Sequence, residues 1–491
     1  MMSIIKPTRI AKVEFAFYLF VLLSVFIFFG YIHPTTILTG DEWFNLSLGR
    51  GAYPEWKGFN PIKVVPEVSF PLLINIASFT LTPIGLTFLQ SATFFTAVLV
   101  AVMVMIYLRQ FYLFTTERLA CNKPTGLIIS TVHYLCLFGL FRTLNNNNST
   151  YMLWEQNLTC YYHYLLPALI NGSVTLFILR YGSGLKDIFK EKPTLAGIVT
   201  LSIYLAIFSN IFSSIILAVT CGSVLLISLL TDKFNITKSV RNYPIHILVI
   251  VMWVISAFYE ANGGRADRMG KPELDISGAF NSAIELFSQI NVVFSSVLGA
   301  GLIAALFKII MSYKKKNNES RLIFSISLIS GIITFIAVIL ISAKASSGYA
   351  SKPVVMWGVL MHTIILASVG FAYILENKSV NYISLIVLFL LINASTNQNY
   401  SLKEPQNNGL TYYTANAITQ DMIVQIQQAL SEKKRSMVLL VPKSNEPDNW
   451  PIPVTRGREI SWTLKSNGVI DKNIEIKIQP DRSKNFQFDF H

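Results

Sequence analysis

The hydrophobic positions of this chain fall into long apolar runs separated by short polar segments. A membrane-spanning helix needs about 20 apolar residues, and fewer in a crowded bundle. By this criterion the sequence predicts eleven spans. They cover residues 15–32, 86–108, 125–143, 161–180, 194–209, 211–231, 244–260, 288–311, 322–343, 354–375 and 379–393.

Two apolar segments leave the number of spans open. The run 69–83 ends at Pro83 and is short for a span, so we expect an interfacial or re-entrant helix. The block 194–231 is interrupted near Ser209-Asn210, which predicts two spans joined by a tight turn. Counting 69–83 as a span, or 194–231 as one helix, would change the number; both changes together would keep the later orientation.

The last hundred or so residues differ in character, because Asn, Gln, Lys and Pro become frequent. Residues 421–430 have helical periodicity, with Asp421 as a candidate N-cap. The apolar run 437–442 ends at a proline and predicts a strand. Residues 473–479 alternate strictly between polar and apolar side chains, which predicts a half-buried strand.

The composition of the whole chain supports the prediction of many membrane spans. Of the 491 residues, 52% are hydrophobic and 14% charged, and the mean hydropathy is +0.50. Soluble domains carry about 25% charged residues. The predicted fold class is therefore an all-α polytopic membrane bundle of about eleven spans, residues 1–393, followed by a small external α+β domain, residues 394–491.

The net charge of +13 bears on orientation. No Arg-rich stripe with interleaved aromatic residues suggests a nucleic-acid partner, whereas Lys and Arg concentrate on the cytoplasmic side of membrane spans. A cytoplasmic N-terminus, with an uncleaved first span, puts the basic loops inside and the C-terminal domain outside. The external loops are then 33–68, 143–160, 260–287 and 344–353.

The first external loop carries two adjacent carboxylates in Gly40-Asp41-Glu42-Trp43-Phe44. Charges near a bilayer are costly unless they face water or have a function. A glycosyl transfer needs a carboxylate that takes the proton of the acceptor hydroxyl, and Asp41 is the first candidate and Glu42 the second. The remaining carboxylate would pair with a cation such as Arg50 or an arginine of the loop 260–287. The alternative is an acidic interfacial loop with a Trp-Phe anchor.

Four basic residues are candidates for the donor phosphate. Arg265 and Arg268 are three residues apart, so that two guanidinium groups could hold one phosphate. Lys344 and Lys352 flank a Ser-rich loop. The alternatives are a surface pair of an arginine with Asp267, and lysines that extend to the membrane surface.

Candidates for sugar binding are polar or aromatic residues of the external face: Trp43, Glu155, Tyr162, His163 and Glu260. An aromatic belt, a packed histidine and an ion pair between Glu260 and Arg265 are the alternatives. No cofactor is predicted. A divalent metal is possible, but two adjacent carboxylates do not require one, and the four cysteines have neither metal-ligand spacing nor a predicted disulfide.

The chain has no P-loop, no Gly-x-Gly-x-x-Gly and no Asp-x-Asp pair in a nucleotide-sugar context. A donor that resides in the bilayer, a polyprenyl-phosphate sugar, is the natural alternative to a nucleotide sugar. The acceptor would be a lipid-linked glycan.

The acidic pair after the first span, the many spans and the external C-terminal domain resemble the GT-C class of glycosyltransferases. More narrowly, the chain is similar to the phage-type serotype-converting O-antigen glucosyltransferases, the Gtr group, of enteric bacteria. The likeness is carried by Gly40-Asp41-Glu42-Trp43, by Trp154-Glu155 with Tyr164-Leu165-Leu166-Pro167, and by the segment 265–268. It matches no motif in the C-terminal domain.

That resemblance implies a reaction on the periplasmic face of the bacterial inner membrane. Glucose would pass from undecaprenyl-phosphate-glucose to the lipid-linked O-antigen of lipopolysaccharide, with inversion, and Asp41 or Glu42 would be the base. Three other functions are compatible with a membrane bundle: a flippase or transporter of a lipid-linked saccharide, a polymerase or ligase, and a non-catalytic assembly protein. Transport is disfavoured because the predicted spans are nearly free of charged residues.

Overall fold

The computed structural model describes residues 9–47, 63–141, 151–153, 155, 157–262, 273–311, 319–375, 381–395 and 410–490. These residues are mostly helical. In chain order they are α1 (Arg9–Ile27), α2 (Gly40–Leu46), α3 (Phe70–Leu81), α4 (Phe88–Leu113), α5 (Lys123–Gly139), α6 (Leu158–Cys160), α7 (Leu166–Tyr181), α8 (Leu185–Glu191), α9 (Pro193–Ile207), α10 (Ile211–Thr231), α11 (Ile236–Asn242), α12 (Pro244–Ala261), α13 (Ile276–Ser288), α14 (Val292–Met311), α15 (Glu319–Ala345), α16 (Trp357–Leu375), α17 (Asn381–Ser395), α18 (Tyr412–Ser431), α19 (Gly457–Ser466) and α20 (Arg482–Phe488).

Wider π-helical turns adjoin several of these helices. They are Phe28–Ile32, Val64–Ser69, Phe114–Arg118 and Tyr161–Leu165. Short 3₁₀ turns occur at Thr82–Ile84, Gly182–Gly184 and Ser347–Ser351. Two strands, β1 (Ser436–Pro442) and β2 (Glu475–Asp481), complete the order of elements.

Nine helical segments within the described ranges are long and apolar enough to cross a membrane. Eight of them coincide with predicted spans. The ninth, Val64–Ile84, has 21 residues, so the prediction that the run 69–83 is too short to span is wrong on length. Its helix begins before the apolar run, at residues that include Glu67. Hydropathy alone therefore misplaced its start.

Three predicted spans form shorter helices. α5 has 17 residues, and α9 and α17 have 15 each. The predicted break near Ser209-Asn210 is confirmed: α9 ends at Ile207, and the Asn210 side chain caps α10 by accepting the Phe212 N–H at 2.8 Å. An Asn at this position satisfies a helix-end donor that would otherwise lack a partner.

The described residues divide into two compact units. The first unit comprises Met1–Val21, Met103–Trp154 and Pro167–Ser401 and contains most of the apolar helices. Within it, α14 packs against α16. A Cβ on Gly370 would overlap the carbonyl oxygen of Gly301, so glycine allows these two helices to approach closely, as small residues do in membrane bundles.

The second unit comprises Leu22–Val102, Glu155–Leu166 and Leu402–His491. Its C-terminal part confirms both predicted strands: β1 and β2 pair in parallel, with Leu439 opposite Ile478. The predicted helix 421–430 also exists but begins earlier. Thr411 caps α18 by accepting the Thr414 N–H at 3.2 Å, so Asp421 as N-cap is wrong.

Asp421 lies inside α18 and pairs with Lys484 at 2.9 Å.

The C-terminal part of the second unit also contacts α3. Asn75 donates to the Ser466 carbonyl at 2.6 Å, and the Ser78 hydroxyl donates to the Asn467 carbonyl at 2.7 Å. Gly468 has φ +70° and lies against the Phe79 ring, a conformation that favours glycine. The C-terminal end of α19 is therefore hydrogen-bonded to α3, through residues that lie 391 and 389 positions earlier in the chain.

Candidate active site

The acidic pair lies on α2, a helix of seven residues. Thr39 precedes it in an extended conformation, with φ −75° and ψ 158°. Glu42 is the third helical residue, and its Oε2 accepts the Thr39 backbone N–H at 2.7 Å. A Thr-x-x-Glu spacing permits this arrangement, which satisfies a donor at the helix start.

Glu42 is fully buried, with 0% of its surface exposed. Its Oε2 also accepts the Leu38 N–H at 2.6 Å, and its Oε1 accepts the Leu158 N–H at 2.8 Å. Burial raises the pKa of Glu42 to about 7, although the hydrogen bonds from Leu38, Thr39 and Leu158 act to lower it. Both carboxylate oxygens accept backbone N–H groups, so Glu42 links residues 38–39, just before α2, to the start of α6.

Asp41 faces the other way. Glu42, Trp43 and Leu46 are buried on one side of α2, whereas Asp41 is exposed. Successive residues of a helix diverge by about 100°, which separates the two neighbouring carboxylates as expected. The Asp41 carboxylate accepts no hydrogen bond from the part of the chain that the structure describes. It is the carboxylate of the pair that solvent and a ligand can reach.

One carboxylate of the pair was predicted to bond to a cationic side chain. The described hydrogen-bond partners of Glu42 are backbone N–H groups instead. Arg50 and the arginines at 265 and 268 lie outside the described residues. A buried carboxylate that accepts several N–H bonds needs no cation to be satisfied.

Two of the aromatic candidates are part of the core. Trp43 is 1% exposed and donates its Nε1–H to the Leu38 carbonyl at 3.1 Å. Tyr162 is also buried and stacks on Phe70 with 4.3 Å between ring centroids, while its hydroxyl lies 3.3 Å from Thr96 Oγ1. In this structure neither ring presents an open face to a sugar, contrary to their predicted role.

Glu155 and His163 lie in the same unit as α2 and are 3% and 5% exposed. His163 donates its Nδ1–H to the Thr159 carbonyl at 2.9 Å. Between them lies Leu158, which donates to Glu42. Glu155 and His163 therefore lie on either side, along the chain, of the residue whose backbone N–H bonds to Glu42.

The other predicted residues do not belong to the unit that contains α2. Glu260, Lys344 and Lys352 belong to the first unit. Lys344 is exposed, and the Lys352 ammonium lies 5.4 Å from the centroid of the Tyr349 ring. Glu260 occupies the last turn of α12. Trp154, which the resemblance included, lies outside the described residues, as do both arginines at 265 and 268.

Sequence reasoning missed two charged residues of the second unit. Lys63 and Glu67 are 6% and 5% exposed. Glu67 lies on the turn Val64–Ser69, which packs against Tyr161–Leu165. Burying a charged side chain is costly, so such residues usually have a role. Lys63 and Glu67 are four residues apart, just before the apolar run 69–83, and this spacing could have indicated that both lie on one face of a helix.

Sequence reasoning also missed the contacts between α2 and the C-terminal part of the second unit. Thr463 donates its hydroxyl to the Trp43 carbonyl at 3.3 Å, and the Gly40 N–H donates to the Pro451 carbonyl at 3.2 Å. The Arg456 guanidinium lies 4.9 Å from the centroid of the Phe44 ring. No local pattern predicts contacts between residues so far apart in the chain.

No group of three His, Cys, Asp or Glu side chains suited to a metal ion occurs in the described ranges. Comparison of the chain with protein-family models, curated proteins and solved structures finds no match. A functional interpretation therefore depends on the sequence and on the geometry of the second unit.

Proposed function

We propose that this chain is a membrane glycosyltransferase with Asp41 as its base. It transfers a sugar from a polyprenyl-phosphate donor to a lipid-linked glycan on the outer face of the membrane. The resemblance to the Gtr group specifies the proposal further as glucose, undecaprenyl phosphate and O-antigen at the periplasmic face of the inner membrane.

The observation that supports this proposal most strongly is that the two acids of the pair differ in burial and hydrogen bonding. Glu42 is buried and saturated by three backbone N–H groups, and Asp41 next to it is exposed. An exposed carboxylate on a helix held from several sides is suited to general-base catalysis, because the backbone that carries it is fixed before the substrate arrives.

In the proposed reaction, Asp41 accepts the proton of an acceptor hydroxyl. The acceptor oxygen forms a bond to the anomeric carbon as the bond from that carbon to the phosphate oxygen breaks. Polyprenyl phosphate leaves with the electron pair, and attack from the opposite face inverts the anomeric carbon. Arg265 and Arg268 remain the first candidates to hold the departing phosphate, with Lys344 and Lys352 next.

Glu155 and His163 lie in the second unit with Asp41 but are buried like Trp43 and Tyr162, so they remain candidates for the sugar acceptor on sequence grounds only. Glu260, in the first unit, remains a candidate on sequence grounds only. Trp43 and Tyr162 contribute by packing around the site rather than by stacking on a sugar.

A transporter of a lipid-linked saccharide is the second candidate, and one observation favours it. Two histidines are buried within apolar helices of the first unit and contact polar groups: His133 Nε2 lies 3.1 Å from the Tyr107 hydroxyl, and His362 Nε2 lies 3.2 Å from Thr220 Oγ1. Polar side chains inside a bundle mark transport paths in many membrane proteins.

The test uses the full chain reconstituted in liposomes with a radiolabelled polyprenyl-phosphate sugar and a lipid-linked oligosaccharide. We expect label to move to the oligosaccharide, with an inverted anomeric centre by NMR. Movement of the donor across the bilayer, with no label on the oligosaccharide, would support the transporter and contradict the proposed transferase.

A further inference from the structure

The C-terminal part of the second unit packs directly on the first turn of α2. The Gly40 N–H donates to the Pro451 carbonyl at 3.2 Å. A Cβ on Gly40 would overlap Pro453 Cγ and lie 3.0 Å from Pro453 Cδ. The residue immediately before Asp41 is therefore a glycine in contact with a proline ring, and a larger side chain would displace one of the two segments.

A second contact lies one helical turn further along. Phe44 follows Gly40 by four residues and so lies on the same face of α2. The Arg456 guanidinium lies 4.9 Å from the centroid of its ring, and Arg456 Cγ would lie 3.6 Å from a Cβ on Gly40. The Arg456 Nη1 also lies 3.4 Å from Glu459 Oε1, which restrains the guanidinium within its own segment.

A helix of seven residues cannot hold its conformation alone, because isolated helices shorter than about 12–15 residues are marginal in water. The position of α2 must come from its neighbours. Beyond the hydrogen bonds of Glu42, these neighbours include the loop 450–456 and α19, whose Thr463 donates to the Trp43 carbonyl at 3.3 Å.

We propose that residues 450–463 form a clamp that sets the position of the Asp41 carboxylate, with Arg456 and Pro453 as positioning residues. The inference rests on the proposed function, since it gives the C-terminal part a role in that same site. Misplacing a catalytic group by about 1 Å can cost about 100-fold in rate. The clamp predicts losses in kcat rather than in the KM for the donor.

The first experiment is a rescue in the full chain. Gly40→Ala should lower kcat by about 10- to 100-fold at matched protein levels. Pro453→Ala removes the Cγ and Cδ atoms that the new methyl group would meet, so the double variant G40A/P453A should recover most of the lost activity. Gly222→Ala, at a helical glycine with no atom near its Cβ position, is the matched control and should match the unchanged chain.

A second experiment tests the clamp without adding bulk. Phe44→Ala and Arg456→Ala should each lower kcat, and the double variant should lose no more than the worse single variant, because both remove one contact. Arg456→Lys should recover only part of the activity, since an ammonium lacks the planar face that stacks on a ring.

Three results would overturn the clamp: full kcat in G40A, no recovery in G40A/P453A at normal protein levels, or multiplicative losses in the Phe44 and Arg456 pair. Failure of the proposed function is separable. Full activity in Asp41→Asn would show that Asp41 is not the base, and the clamp would then have no catalytic role. Rescue of the unfolding midpoint of G40A by P453A would then show only that the loop holds α2.

Discussion

The Oε1 atom of Glu42 accepts the backbone N–H of Leu158 at 2.8 Å, across 116 residues of the chain. Leu158 is the first residue of α6, so its N–H has no partner within the helix. The same carboxylate holds Leu38 and Thr39, just before α2. One buried side chain therefore joins the start of the acidic helix to the start of the segment that contains Tyr162 and His163.

Removing the Leu158 donor should destabilise this junction. Leu158→Pro removes the N–H at the first position of a helix, where proline is otherwise tolerated. Asn157 has ψ 169°, which is compatible with a following proline. Because Leu158 is also fully buried, Leu158→Ala is the control for the lost side chain.

We expect L158P to unfold with about 1–3 kcal/mol less stability than L158A. Chemical or thermal unfolding in detergent measures the difference. Equal stabilities of the two variants would mean that this hydrogen bond does not stabilise the junction.

The two acids should respond differently to loss of charge. Glu42→Gln replaces one acceptor oxygen by an NH₂ group that must face a backbone N–H, so we expect a loss of about 1–3 kcal/mol. Asp41→Asn changes an exposed group and should stay within about 0.5 kcal/mol of the unchanged chain. Unfolding midpoints of both variants test this, and the reverse order would show that the assignment of the buried and exposed acids is wrong.

The raised pKa of Glu42 predicts a dependence of stability on pH. Its pKa is raised from 4.5 to about 7 by burial, so the folded chain binds this proton more tightly than the unfolded chain. The stability contributed by the protonated group is fully present below pH 4.5 and is lost as the pH rises to about 7.

The amplitude is on the order of 3 kcal/mol. The measurement is the stability of the unchanged chain minus that of E42Q, which cannot titrate at this position. The difference should be larger at pH 5 than at pH 8, and a difference that grows with pH would contradict the assignment.

A substitution of Trp43 can distinguish a structural role of its ring from a role in sugar binding. Trp43→Phe loses the hydrogen bond to the Leu38 carbonyl and some buried volume, so stability should fall by about 1–3 kcal/mol. The KM for the lipid-linked acceptor should not change, because the ring is buried. A large rise in KM with unchanged stability would restore the predicted sugar-binding role.

Hydropathy predicted most of the helices that are long and apolar enough to cross a membrane, since about 20 apolar residues in succession are a local property of the sequence. Strict alternation likewise predicted the strand β2. The same signals missed the start of the helix at Val64 because Glu67 interrupts the apolar pattern there. They placed the start of α18 at Asp421 because an internal Asp resembles a cap, whereas Thr411 is the cap.

The site was predictable only in outline. An acidic pair after the first span pointed to α2 and to Asp41 as the first candidate for the base, but the burial of Glu42 depends on partners such as the Leu158 N–H, far along the chain. Burial of Trp43 and Tyr162 depends on partners such as Leu38 and Phe70. Contacts made only in the folded chain carry no signature in the sequence around either residue.

The most direct test of the proposed base is sugar transfer by Asp41→Asn at a matched amount of folded protein. Asp471→Asn, at another exposed aspartate of the second unit, is the control. We expect D41N to keep the unfolding midpoint of the unchanged chain and lose at least about 100-fold in kcat, while D471N keeps both. Transfer by D41N at the rate of the unchanged chain would contradict the assignment of Asp41 as the base.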